Sequence, residues 1–208
     1  MATGPRPIIA PPPLDDAARA ESLRQTLADD KATEPLWLFA YGSLIWDPCF
    51  TFTAHCTATL DGYHRAFNFW SVLARGTPER PGLGLGLEAG GSCNGVAFRL
   101  AERTRQEDLD AIWRREMYGT VYRPAWLPIS TPDGPITALI FISNTSHAQY
   151  SGDLSREQAA AAIADADGEN GTCRDYLEQT IASLNRHGLR DPGLEALLDA
   201  VNAIAPTR

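Results

Sequence analysis

From Leu36 onward the chain sets short apolar runs between glycines and prolines, a texture that reads as strands and turns. "LWLFAY" is an apolar run of strand length, "FTAHCTATLDGYHRAFNFWSV" alternates, and "LGLGLEA" and "CNGVAFRL" follow with glycine around them. In "RQEDLDAIWRREMYG" the period changes: Leu109, Ile112, Trp113 and Met117 recur at helical spacing, which predicts a helix stopping near Gly119. "VYRPAWLPISTPDGPITALIFISN" predicts a hairpin around Pro132, Asp133 and Gly134. The segments "LSREQAAAAIADADG", "CRDYLEQTIASLNRHG" and "GLEALLDAVNAI" predict three helices. Ser155 and Gln158 form a capping box at the first, and Gly188 caps the C-terminal end of the second.

Ahead of these elements, Met1 to Asp16 are rich in proline, which predicts an extended or disordered stretch. Leu14, Ala18, Leu23 and Leu27 then fall near helical spacing behind Asp15 or Asp16 as N-cap, so a short amphipathic helix is expected to pack on the body. Pro35 ends this preamble. The chain therefore divides into an N-terminal extension, 1–34, and a main domain, 35–208. Strands first and helices after predict an α+β fold rather than a doubly wound parallel sheet.

Composition narrows the function. With 208 residues, 44% hydrophobic and 21% charged, the chain is ample to bury a core. A formal net charge of -8 argues against a nucleic-acid partner and offers no basic patch to anionic lipid. No apolar run is long enough to cross a membrane, and the N-terminus lacks the apolar core of a signal peptide, so a cytoplasmic location is expected. Cys49, Cys56, Cys93 and Cys173 form no CxxC pair, and His55, His64, His147 and His187 are scattered. Reduced thiols and no metal site are expected.

Two glycine-bearing stretches offer candidate chemistry. "GLGLEA", Gly84 to Ala89, satisfies the letters of a dinucleotide-binding turn, but a true one leaves a strand and opens a helix. "RGTPERP" before it and "GGSCNG" after it supply neither, so it reads as a glycine-rich strand. In "AYGSL", Gly42 and Ser43 at the end of a buried strand leave successive backbone amides uncovered, and such amides converge on anions. On those residues alone a small-residue bend in a barrel is the simpler reading.

An ordered set of matches decides between them. "WLFAYGSLIWDPCF", "GYHRAFNFWS", "RGTPERPG", "CNGVAFRL", "RREM" and the late "DYL" together resemble the ChaC-like branch of the gamma-glutamylcyclotransferases, from Trp37 to about Leu184. The resemblance implies a compact mixed β-barrel with flanking helices and cleavage of glutathione into 5-oxoproline and cysteinylglycine, with no cofactor. It assigns the backbone of Tyr41, Gly42, Ser43 and Leu44 to the loop that holds the glutamyl end of the substrate, and Glu116 to the catalytic acid/base. Tyr176 is similar to a late tyrosine of the same pocket, and Arg75, Gly76 and Thr77 to a motif lining the cleft.

The residue types suit that chemistry. In a gamma-glutamyl peptide the α-amine can close on its own γ-carbonyl, which needs the chain held folded and a base to take the ammonium proton and return one to the leaving nitrogen. One carboxylate can serve both steps. Trp113 and Met117 beside Glu116 would raise its proton affinity, while Arg114 and Arg115 would lower it. Without the resemblance, Glu116 reads as a solvated helix residue, Tyr176 as a core aromatic, Glu88 as a rim carboxylate, and His64 and Arg65 as residues that steady a turn.

The sequence also departs from the family pattern. Ala74 stands where many members have histidine, Leu83 replaces an arginine, and "MYGTVY" replaces the usual Gly-Gly-Tyr after the glutamate. All three are expected where the Cys-Gly end of a substrate would rest, which keeps open two alternatives to glutathione cleavage: a cyclotransferase for other gamma-glutamyl peptides or amines, and a non-catalytic binding protein of the same fold.

Overall fold

Two of the longest segments, Phe52–Ser71 (β2) and Gly82–Leu100 (β3), pair along almost their full lengths as an antiparallel hairpin. A computed structural model describes residues 12–29, 31–32 and 34–204 of the chain. The sequence pattern splits β3 into two runs, but it is one continuous strand. Its glycines permit close packing rather than a break: a Cβ on Gly84 would lie 2.1 Å from the ring of Phe69. Register shifts between Phe52 and Ala54, Asp61 and Tyr63, and Phe67 and Phe69 bend β2, as bulges do.

That curvature lets the sheet close. Trp37–Ala40 (β1) pairs antiparallel with β3 and parallel with the strand Gly134–Ser143 (β5). Tyr122–Thr131 (β4) joins β5 through the expected hairpin, with Gly134 at φ 114°, and meets β2 at Thr59 and Ser130. The result is a closed mixed barrel in the order β1-β3-β2-β4-β5. Leu38, Val96, Ala138, Leu139 and Ile140 are fully buried in it.

The helices cover this barrel where the periodicity places them. Asp16–Leu27 (α1) is capped by Asp15, whose carboxylate accepts from the Ala18 amide at 2.7 Å. Three residues of its expected apolar stripe pack on the body, Leu23 buried in the core with Leu14 and Leu27 against it, while Ala18 is exposed. Polar contacts hold it as well, the indole N–H groups of Trp113 and Trp126 donating to Ser22 Oγ at 3.2 Å and Thr26 O at 2.8 Å. Arg105–Glu116 (α2) follows a 3-10 turn and buries Leu109, Ile112 and Trp113. Arg156–Asp165 (α3) carries the full Ser155–Gln158 capping box. A two-residue hairpin, Asp167–Gly168 (β6) with Gly171–Thr172 (β7), leads into Cys173–Arg186 (α4), whose end is followed by Gly188 at φ 71°, and Pro192–Ile204 (α5) completes the described chain. The expected extended stretch over residues 1–16 falls largely outside the described residues. Within them, the Leu14 amide donates to Tyr118 O at 2.9 Å, so the extension touches the segment just after α2.

Candidate active site

β1 ends at Ala40, and the chain turns through Gly42 into a 3-10 turn, Ser43–Ile45. The turn consumes its carbonyls and leaves its amides. Gly42 O accepts from Ile45 N at 3.0 Å, and Ser43 O accepts from Asp47 N at 2.8 Å. Tyr41 O accepts from Arg65 Nε at 2.6 Å. Among the described residues no acceptor meets the amides of Gly42, Ser43 and Leu44, as the start of a helical turn requires. The Tyr41 side chain is anchored separately, its hydroxyl donating to Phe141 O at 2.6 Å.

The cleft beside these amides is walled by Tyr41 to Leu44, Leu85, Tyr122, Phe141 and Tyr176, and Glu116 reaches into it from the last residue of α2. The Glu116 side chain is 11% exposed. Arg115 Nε stands 3.7 Å from its carboxylate, beyond hydrogen-bond reach, because the Arg115 guanidinium is committed to Asp47 O at 2.5 Å and the Asp47 carboxylate at 3.0 Å. No donor among the described residues bonds either Glu116 oxygen. Burial therefore dominates over the Arg115 charge and pushes the carboxyl up to about 7. The negative end of the α2 dipole acts in the same direction. Burial, reinforced by the Glu116 charge, also holds the phenols of Tyr41, Tyr122 and Tyr176 well above their ordinary range, so all three are neutral near neutral pH.

Glycine at position 42 keeps the cleft open: a Cβ there would lie 3.3 Å from Leu85 Cδ2 and 3.4 Å from the Tyr176 hydroxyl. Tyr176, in the first turn of α4, is fixed edge-on by Phe67 at 5.8 Å between centroids. The Arg75 guanidinium lies over the Tyr176 ring, 5.2 Å from its centroid. Its hydrogen bond to Thr172 O is long, 3.4 Å, and no carboxylate pairs with it among the described residues.

Six of the nine residues that the resemblance assigns to the site, Tyr41, Gly42, Ser43, Leu44, Glu116 and Tyr176, thus meet in one cleft. Arg75 stands one residue behind its wall, and Gly76 is not at the wall at all. A Cβ on Gly76 would sit 2.2 Å from Gly82 N, so this glycine serves close backbone packing. Thr77 is exposed, its amide donating to Arg80 O at 3.0 Å. Leu83 is fully buried and its amide bonds Cys173 Sγ, so that departure from the family pattern concerns the core rather than a substrate contact. Glu88 faces another cluster, accepting from Asn68 at 2.7 Å and Tyr150 at 2.7 Å. Tyr122, which donates to Leu85 O at 2.7 Å, brings the end of "MYGTVY" to the cleft, and Leu85 and Phe141 are cleft residues the sequence did not disclose. No group of three or more His, Cys, Asp or Glu side chains converges among the described residues, and no described helix is long and apolar enough to cross a membrane.

The family model for ChaC-like proteins matches residues 36–204. The glutathione-specific gamma-glutamylcyclotransferase of Escherichia coli is 41% identical over 187 residues, covering 89% of this chain and 81% of its own. The glutathione-specific gamma-glutamylcyclotransferase 1 of Rattus norvegicus is 30% identical, covering 94% of this chain and 90% of its own. Among solved structures, a yeast gamma-glutamyl cyclotransferase specific to glutathione superposes with a TM-score of 0.76 at 20% identity, over 82% of this chain and 96% of that one, a likeness of fold.

Proposed function

Because the chain belongs to the ChaC-like protein family, we propose that it cyclises the gamma-glutamyl group of glutathione, releasing 5-oxoproline and cysteinylglycine, with Glu116 as general acid/base. The free amides of Gly42, Ser43 and Leu44 grip the α-carboxylate of the glutamyl group. That grip folds the chain so that its α-amine faces the γ-carbonyl. Glu116 takes a proton from the ammonium, the amine nitrogen bonds the γ-carbon, and the amide bond to cysteine breaks as the same carboxyl returns that proton to the departing nitrogen. The regenerated carboxylate then passes the second proton of the new lactam nitrogen to the freed amine of cysteinylglycine. Atoms balance without water or an oxidant. Arg75, unpaired and stacked on Tyr176, is suited to a second carboxylate on the leaving portion. Four unpaired cysteines support a reducing, cytoplasmic setting.

The observation that carries this reading is the Glu116 carboxylate itself, buried, without a hydrogen-bond donor among the described residues and in one cleft with amides that meet no acceptor among them. A carboxyl titrating at about 7 is poised to exchange protons at neutral pH. The test is incubation of the purified protein with glutathione: 5-oxoproline and cysteinylglycine are expected in equal amounts. Turnover of other gamma-glutamyl amines without turnover of glutathione would move the specificity, and absence of both would remove the catalytic reading.

A further inference from the structure

Arg65 lies on β2, outside the cleft, with its side chain 3% exposed and all three faces of its guanidinium engaged. Nε donates to Tyr41 O at 2.6 Å, Nη2 donates to Asn94 O at 2.5 Å, and Nη1 pairs with Asp191 beside the start of α5. The Tyr41–Gly42 peptide is trans, so its carbonyl and amide point in opposite directions. A carbonyl drawn toward Arg65, which is not among the residues lining the cleft, turns the Gly42 amide away from Arg65. The Tyr41 hydroxyl, bonded to Phe141 O, fixes the same residue from its other end and leaves this peptide plane little freedom.

We propose that Arg65 is a positioning residue, which sets the orientation of the Tyr41–Gly42 peptide and thereby aims the Gly42 amide at the substrate. The inference rests on the cyclotransferase reading for what the amide grips, but the orientation of the peptide is a property of the protein alone. Lysine keeps the charge and can still meet Asp191, yet it lacks the planar fork that holds two carbonyls at once.

The experiment compares wild type, Arg65→Lys and Asp191→Asn in glutathione turnover, thermal melting and crystal structures without substrate. Arg65→Lys is expected to lower kcat/KM about a hundredfold, since small misplacements of a positioning group act on that scale. Its pH midpoint should stay that of wild type, and its Tyr41–Gly42 peptide should be turned or split between orientations. Asp191→Asn preserves the cap that Asp191 gives the Leu194 amide and both carbonyl contacts of Arg65, so it should keep kcat/KM within about threefold. The proposal is overturned if Arg65→Lys keeps full turnover, if it loses turnover with the peptide unmoved, or if Asp191→Asn loses as much, which would make the pair a tether for α5. Should wild type leave glutathione intact, the cyclotransferase reading fails, and the peptide orientation in Arg65→Lys still decides the role of Arg65.

Discussion

Two glycine-bearing turns match the same family pattern and use glycine in opposite ways. At Gly42 the missing side chain leaves space: a Cβ would make contacts of 3.3 and 3.4 Å that side chains can absorb, and the amides around it stay free. In the Arg75–Gly82 turn the space is already filled by backbone. A Cβ on Gly82 would lie 2.1 Å from Arg75 O, and one on Gly168, across the turn, 2.4 Å from Gly76 N. The amides of Glu169 and Asn170 donate to Leu73 O and Ala74 O, sealing this second region. The first turn leaves its donors open beside the cleft, while the second is a packing joint that carries Arg75 to the back of Tyr176.

This contrast can be broken by substitution. Gly82→Ala should cost about 3 kcal/mol or more in chemical denaturation, because the added carbon meets backbone that cannot step aside. Glu116 gives the next largest effect. Its folded-state pKa is raised from the ordinary 4.5 to about 7, so its contribution to stability is fully present below about pH 4.5 and is lost as pH rises through about 7. The loss amounts to at most about 3 kcal/mol. Denaturation of Glu116→Gln against wild type should show the wild type falling behind across that window, and parallel curves would place the carboxyl in water.

Gly42→Ala should cost only about 1 kcal/mol of stability yet lower kcat/KM for glutathione about tenfold or more, since the new methyl enters the gap beside the Tyr176 hydroxyl. Equal stability losses at Gly42 and Gly82 would erase the distinction between the two turns. Removing residues 1–11 should leave kcat/KM unchanged, whereas a truncation that passes Leu14 takes away the contact with Tyr118 O, just beyond α2.

Local chemistry was legible in the sequence. The capping box at Ser155, the turn at Gly134 and the helix bearing Glu116 all follow from short-range rules and are present, although that helix ends at Glu116 rather than near Gly119. The cleft was legible only through resemblance, because it joins residues from β1, α2 and α4 that no period connects. Arg65 shows the limit best. Its partners lie at Tyr41, Asn94 and Asp191, so nothing near "GYHRAF" discloses that this arginine bonds the backbone beside the cleft. Gly76 failed in the other direction: its motif pointed to the cleft, and only the approach of Gly82 shows that it packs. At α1 the apolar stripe held at Leu14, Leu23 and Leu27 but not at Ala18, and the indole hydrogen bonds to Ser22 and Thr26 were not legible in it.

The central claim is that a buried, unbonded carboxyl at position 116 moves the protons of cyclisation. The most direct measurement is kcat/KM for glutathione as a function of pH in wild type and Glu116→Gln. The account expects a wild-type activity that rises through about pH 7 as the carboxyl ionises, and a glutamine variant that is folded but slower by about 100- to 10,000-fold at every pH. A glutamine variant within tenfold of wild type, with the rise near pH 7 intact, would contradict it.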